Sequence, residues 1–203
     1  FEALIGAYAT AQVAAEHVEG HDAVIVAAFG DPGLSGLREA LPVPVLGLSE
    51  SALASACLLG HRFSIVAISQ RISAWYREVV EANGLIGRLA SIRALDQPLA
   101  GIGSVQTDHA QALRALCERA VAEDGAEVII LAGASLAGLA RAVRGELPVP
   151  VVDGVSSAVR HAETMVALAP GKARSGSFAP PPVKPNAGLP DAIARLLGSG
   201  AAP

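Results

Sequence analysis

Aromatic side chains are scarce: four Phe, two Tyr and one Trp make up 3% of 203 residues. A core must therefore be packed from Ala, Val, Leu and Ile, residues suited to parallel strands buried on both faces. Cysteine is nearly absent. Cys57 and Cys117 both fall within helical patterns, imply no disulfide framework and lack metal-ligand spacing. The five histidines are scattered, His17, His21 and His61 near element ends and His109 and His161 within helices, and no metal is expected. Charge is low at 17%, the net charge is −4 and there is no basic run, which argues against a nucleic-acid partner. No apolar stretch approaches the roughly 20 residues of a membrane span, and no signal-peptide pattern is visible. These absences lead us to expect a soluble, cytoplasmic protein with no membrane partner. No strand precedes the Ala-rich helical pattern of Phe1 to Val18, although a parallel α/β lobe ordinarily opens with one. We expect the natural protein to carry an additional N-terminal strand and loop.

The chain does contain an internal repeat. Asp22 to Glu50 reads as an apolar run, the turn Gly30-Asp31-Pro32-Gly33, a short helical pattern and a second apolar run, which is one βαβ unit. The pattern returns in Ala126 to Ser157. Leu41-Pro42-Val43-Pro44-Val45 matches Leu147-Pro148-Val149-Pro150-Val151, and Ser51-Ala52 matches Ser157-Ala158. Two copies are too few for a solenoid. They predict an α/β fold of two pseudo-symmetric parallel-sheet lobes, with the site in a cleft between the turns after Ala28 and after Ala132. We place the first lobe at 1–62, the second at 63–168, and a Pro-rich strap with a C-terminal helix returning to the first lobe at 169–203.

In order, the pattern predicts strands at Asp22–Phe29, Val43–Leu48, Phe63–Ile68, Arg88–Leu95, Glu127–Leu131 and Val149–Val152. Helices are predicted at Leu34–Ala40, from a Ser49 or Ser51 cap to Leu59, at Trp75–Asn83, from a Thr107 or Asp108 cap through Val121, at Leu136–Val143, Val155–Leu168 and Leu189–Leu197. Gly60 stops one helix, and Asn83-Gly84 is a helix-end signal. Asp96 to Gly103 reads as loop.

The candidate sites are the turns. Gly30-Asp31-Pro32-Gly33 could hold a small anion such as a carboxylate on its backbone N–H groups. It lacks the Lys-Ser/Thr of a phosphate loop, and Asp31 repels phosphate; its plain alternative is a turn. Gly133-Ala134-Ser135 mirrors it, and two facing turns would make a pocket. Asp153 could orient a substrate or cap the following helix, and Ser49-Glu50 carries the same ambiguity. Gly101-Ile102-Gly103 lacks the third glycine and preceding strand of a dinucleotide fingerprint.

AAFGDPGL (Ala27 to Leu34), VPVLGLSE, RFSIV (Arg62 to Val66), EDGAEVIILAG (Glu123 to Gly133), VPVVDGVSSAV (Val149 to Val159) and the tail APPPVKP together resemble the aspartate/glutamate/hydantoin racemase superfamily, in its hydantoin and allantoin racemase branch. The resemblance implies two α/β lobes, a homo-oligomer, and racemisation without a cofactor at a carbon next to a carbonyl of an amino acid, hydantoin or similar small molecule. It also implies two cysteines, one per turn, moving a proton on opposite faces of that carbon, with turn amides stabilising the enolate-like charge. In this chain those positions fall on Ala28 and Gly133, and a common Thr after the third strand falls on Ala67. The two-cysteine scheme is thus closed to it, and even a related decarboxylase branch with one cysteine retains more. The proton-carrier candidates are then Asp31, Ser135, Asp153 or a residue of the expected N-terminal segment, with Ala28, Phe29, Gly30, Gly133, Ala134 and Ser135 as substrate-binding positions. The competing expectation is a small-carboxylate or ureide binding protein, or a non-racemase lyase, that keeps the pocket without two-base racemisation.

Overall fold

A computed structural model of the chain describes residues 1–96, 101, 103–143 and 145–197. The predicted Asp96–Gly103 loop and Gly101-Ile102-Gly103 lie partly outside them. The elements in order are α1 (Glu2–His17), β1 (Val24–Val26), α2 (Leu34–Ala40), β2 (Val45–Gly47), α3 (Leu48–Leu59), β3 (Phe63–Ala67), α4 (Ser73–Ala82), β4 (Leu89–Ala94), α5 (Val105–Asp108), α6 (Ala110–Asp124), β5 (Val128–Leu131), α7 (Leu139–Ala142), β6 (Val151–Asp153), α8 (Gly154–Leu168) and α9 (Asp191–Leu196). This is an α/β fold with a parallel sheet.

The chain divides into two compact units. One comprises Phe1–Val26, Pro32–Leu46 and the chain from Arg160 on. Here Val24 donates its N–H to the Pro44 carbonyl beside the β1–β2 pairing. Val26, Leu34, Leu37, Leu41 and Val45 form its buried cluster, with Ala11, Ala14, Val18 and Leu196 packed against it. Both α2 and α9 pack on α1, and Lys172 of the irregular C-terminal stretch donates to the Arg38 carbonyl on α2.

The other unit comprises Ala27–Asp31 and Gly47–Val159. Its four-stranded sheet has the order β4-β3-β5-β6, and every pairing in it is parallel. Val128, Ile129, Ile130 and Leu131 of β5 are all buried, as is every residue of β3, as the near-continuous apolar runs require. Leu113, Cys117 and Ala120 of α6 pack on this sheet. At the sheet edge, Arg93 of β4 holds Asp124 of α6 through two hydrogen bonds of 2.6 and 2.8 Å, and Ser91 donates to the same carboxylate at 2.5 Å. Arg93 keeps the Asp124 carboxyl below its ordinary range. Burial pushes the Cys117 thiol up to about 12, as befits a small core residue rather than a nucleophile.

Several boundaries differ from the sequence-based expectation. The first strand ends at Val26 because Asp31 donates back to the Ala28 carbonyl and turns the chain. Neither Ser49 nor Ser51 caps α3, which starts at Leu48 and takes its cap from Asp31. Thr107 and Asp108 belong to the separate turn α5. The buried Val105 draws that turn inward, and the chain breaks at His109 before α6 runs on to Asp124. The helix expected over Leu136–Val143 is a 3₁₀ turn, Ala134–Leu136, followed by α7, the two parted at Gly138.

Ile130 is fully buried at the centre of the sheet. Ile130→Ala should therefore lower unfolding free energy by about 2–5 kcal/mol, measured by chemical denaturation. A loss under about 1 kcal/mol would place Ile130 outside a tightly packed core.

Candidate active site

Strand β3 leads to β4 on one side, and β5 leads to β6 on the other, so the strand order reverses between β3 and β5. Open parallel sheets bind ligands outside the carboxyl ends of their strands at such a point. The register brings those ends together: Val66 pairs with Leu131, and Leu131 with Asp153. Ala132 then donates to the Val66 carbonyl, and the chain leaves β5 into Gly133-Ala134-Ser135. Ala67, where the resemblance places a Thr, is fully buried at the end of β3.

Gly133 has φ 110° and ψ 145°, a conformation that strains any side-chain-bearing residue. Beyond its two chain neighbours, the nearest described atom to a Cβ built there is Ser135 Oγ, at 3.6 Å. Ala134 is exposed and Ser135 half-buried. Gln106 of α5 fixes the turn by donating to the carbonyls of Ser135 (2.7 Å) and Ala137 (3.0 Å).

The turn Ala28–Asp31 also belongs to this unit. Ala28 is exposed; Phe29 is buried, its ring edge-on to Tyr76 with centroids 4.8 Å apart. The Gly30 N–H donates to Ser49 Oγ at 2.6 Å. Asp31 has positive φ, 49°, and its two carboxylate oxygens accept the N–H groups of Ser49 and Glu50, each at 2.9 Å. It thus satisfies two of the donors left open at the start of α3. Glu50 accepts the Gly47 N–H at 3.2 Å. A Cβ on Gly47 would stand 2.2 Å from Asp31 Cγ, so the carboxylate seats only against a glycine. Burial pushes the Asp31 carboxyl up to about 6, the Ser49 and Glu50 N–H groups pulling it down and the Glu50 charge adding to the rise.

Asp153 is 3% exposed at the end of β6. It caps α8, accepting the Ser156 N–H at 2.7 Å and the Ser156 hydroxyl at 2.9 Å. The starts of α3 and α8 touch: a Cβ on Gly154 would lie 2.9 Å from Leu48 Cβ. The fold thus sets the two capping carboxylates on adjoining helix starts and ties Ser135 to α5. The sequence alone does not point to Trp75, Tyr76 or Gln106 as parts of these turns, and it offers Ser49 as a helix cap or substrate-orienting residue rather than as the acceptor for Gly30. Trp75 alone carried a signal, as the sole tryptophan of a chain poor in aromatics. Among the described residues, no group of three or more His, Cys, Asp or Glu is placed to hold a metal ion, and no helix is long and apolar enough to cross a membrane.

A family model described as Asp/Glu/Hydantoin racemase matches residues 2–162. The chain belongs to the Asp/Glu/hydantoin racemase family. Relatives of this racemase-family chain include a hydantoin racemase of Paenarthrobacter aurescens, 39% identical over 173 residues, 84% of this chain and 72% of that protein. A hydantoin racemase of Pseudomonas sp. (strain NS671) is 39% identical over 150 residues, 74% of this chain, which spans only 60% of that protein's length. Among solved structures, an allantoin racemase from Klebsiella pneumoniae superposes with a TM-score of 0.85 at 34% identity, covering 95% of this chain and 78% of that one. These relatives are isomerases by name, and they bear out the branch that the sequence motifs suggest.

Asp31 supplies a pH test. Its folded value lies above the ordinary 3.8, so its contribution to stability is complete below about pH 4 and is lost as pH rises through about 6. Carboxyl-carbon NMR should find a midpoint near 6. The difference in stability between wild type and Asp31→Asn should shift in favour of the variant across that interval. A midpoint near 4 and a flat difference would refute the assignment.

Proposed function

We propose that this protein is an isomerase acting without a cofactor at a carbon next to a carbonyl, on a hydantoin, an allantoin-like ureide or an amino acid, with Asp31 carrying the proton. The observation behind this reading is the buried Asp31 carboxyl on the turn after β1, which desolvation pushes up to about 6. Proton transfer works best when the carrier's pKa lies near the operating pH. Asp31 stands three residues from Ala28, where the family resemblance places a thiol.

In this scheme Asp31 takes the α-proton, and the electron pair left on carbon delocalises onto the neighbouring carbonyl oxygen. The amides of the Gly133–Ser135 turn stabilise the charge gathered there. Return of a proton to the carbon from the Asp31 side gives exchange without inversion. Return from the Ser135 hydroxyl gives the mirror form; water then restores the Ser135 proton and takes up the one left on Asp31. The Ser135 hydroxyl is favoured for that role because it lies 3.6 Å from where a side chain on Gly133 would begin. Asp153 is assigned to holding α8, both its oxygens being bonded to Ser156.

A second reading is a binding protein for the same small molecules. Its support is that Ala28 and Gly133 carry no ionisable group, and that both Asp31 oxygens already accept helix amides.

Deuterium uptake at the α-carbon, followed by NMR with hydantoins, allantoin, aspartate and glutamate, separates the two. The isomerase reading expects uptake above the buffer rate, falling about 100-fold or more in Asp31→Asn and retained in Asp153→Asn. Binding without uptake in wild type would favour the second reading. So would uptake that arises only after Ala28→Cys with Gly133→Cys.

A further inference from the structure

We propose that Trp75 is a positioning residue whose indole, seated on Gly30, holds the Ala28–Asp31 turn against α3 and so fixes the place of the Asp31 carboxylate. The geometry is direct. A Cβ on Gly30 would lie 2.3 Å from Trp75 Cζ2, 2.6 Å from Cε2 and 2.7 Å from Cη2. The six-membered ring of the indole therefore covers the one face of Gly30 that a side chain would occupy. Gly30, at φ 123°, leaves room for that approach. One residue before it, Phe29 meets Tyr76 edge-on; one residue after it, Asp31 bonds the Ser49 and Glu50 amides. The turn is thus held from two sides, by the amides and the Ser49 hydroxyl of α3 and by consecutive aromatic residues of α4.

Such a double hold has a purpose that simple packing does not. The Gly30 and Asp31 bonds draw the turn onto the start of α3, and in this proposal the indole seated on Gly30 backs it there. The charge that acts on Asp31 is that of Glu50 on α3, which opposes its ionisation; on the α4 side Phe29 meets Tyr76, whose hydroxyl burial keeps neutral. Removing the indole leaves this charge pattern intact and lets water reach the carboxylate.

The proposal rests on Asp31 as the proton carrier, but it is tested by readouts that need no turnover. In Trp75→Ala, the Ser49 and Glu50 amides should exchange with solvent about tenfold faster or more, and the Asp31 midpoint should fall from about 6 toward the ordinary 3.8. Trp75→Phe, which retains an aromatic cover, should restore most of both. Unchanged amide exchange and an unmoved midpoint in Trp75→Ala would reduce Trp75 to a packing residue and overturn the proposal. A cycle with Gly30→Ala covers the case in which Trp75→Ala does not fold. Gly30→Ala should lower the denaturation midpoint less in a Trp75→Leu background than in wild type, because the clash with the indole is gone; equal losses would overturn the proposal. Absence of α-carbon exchange in wild type would remove the catalytic reading of Asp31 and leave these outcomes readable.

Discussion

The second unit depends on a carboxylate that serves a helix other than its neighbour in sequence. Asp31 lies eighteen residues before Ser49, yet it satisfies the open amides of α3 as a local cap would. Desolvation opposes this bond and the two N–H groups favour it; desolvation is the larger effect, so the carboxyl's affinity for a proton rises. The same contact therefore stabilises a helix start and adjusts an acid. Gly47 makes it possible by leaving the carboxylate its space, and Glu50 completes the arrangement by bonding back to the Gly47 amide.

Asp153 performs the parallel task for α8 with its own following residues. The two repeats thus solve one problem, an uncapped helix at the carboxyl edge of a strand, in two ways. In one the acid ends the strand itself; in the other it is borrowed from the preceding turn. The close approach of Leu48 and Gly154 joins the two solutions. Where the family resemblance sets thiols, this chain has an exposed alanine and a glycine in a backbone conformation that penalises side chains. The departure at Gly133 is therefore built into the main chain as well as the side chain.

Much of this was legible from the sequence, for physical reasons. Leu34–Ala40 was expected as a helix and is one residue for residue, because Leu34, Leu37 and Leu41 carry a helical period and Pro42 stops it. Gly60 and Asn83-Gly84 end their helices as expected, since these signals are local. The strands of the parallel sheet follow their apolar runs to within a few residues. What could not be read locally was set by distant groups. The Asp31 cap on α3 comes from another loop, and the break at His109 follows the burial of Val105. The candidate residues themselves came from the repeat and the family motifs, whereas Trp75 and Gln106 act on the turns through folded contacts that no spacing records.

The position of the sole indole also shapes what can be seen of this protein in solution. Its tryptophan emission originates at the Ala28–Asp31 turn and not in the sheet, so fluorescence and backbone circular dichroism watch different parts of the molecule. Opening of the turn alone would change the first signal and leave the second in place. A disagreement between the two would then be a record of where the chain loosens first, rather than a fault in either measurement.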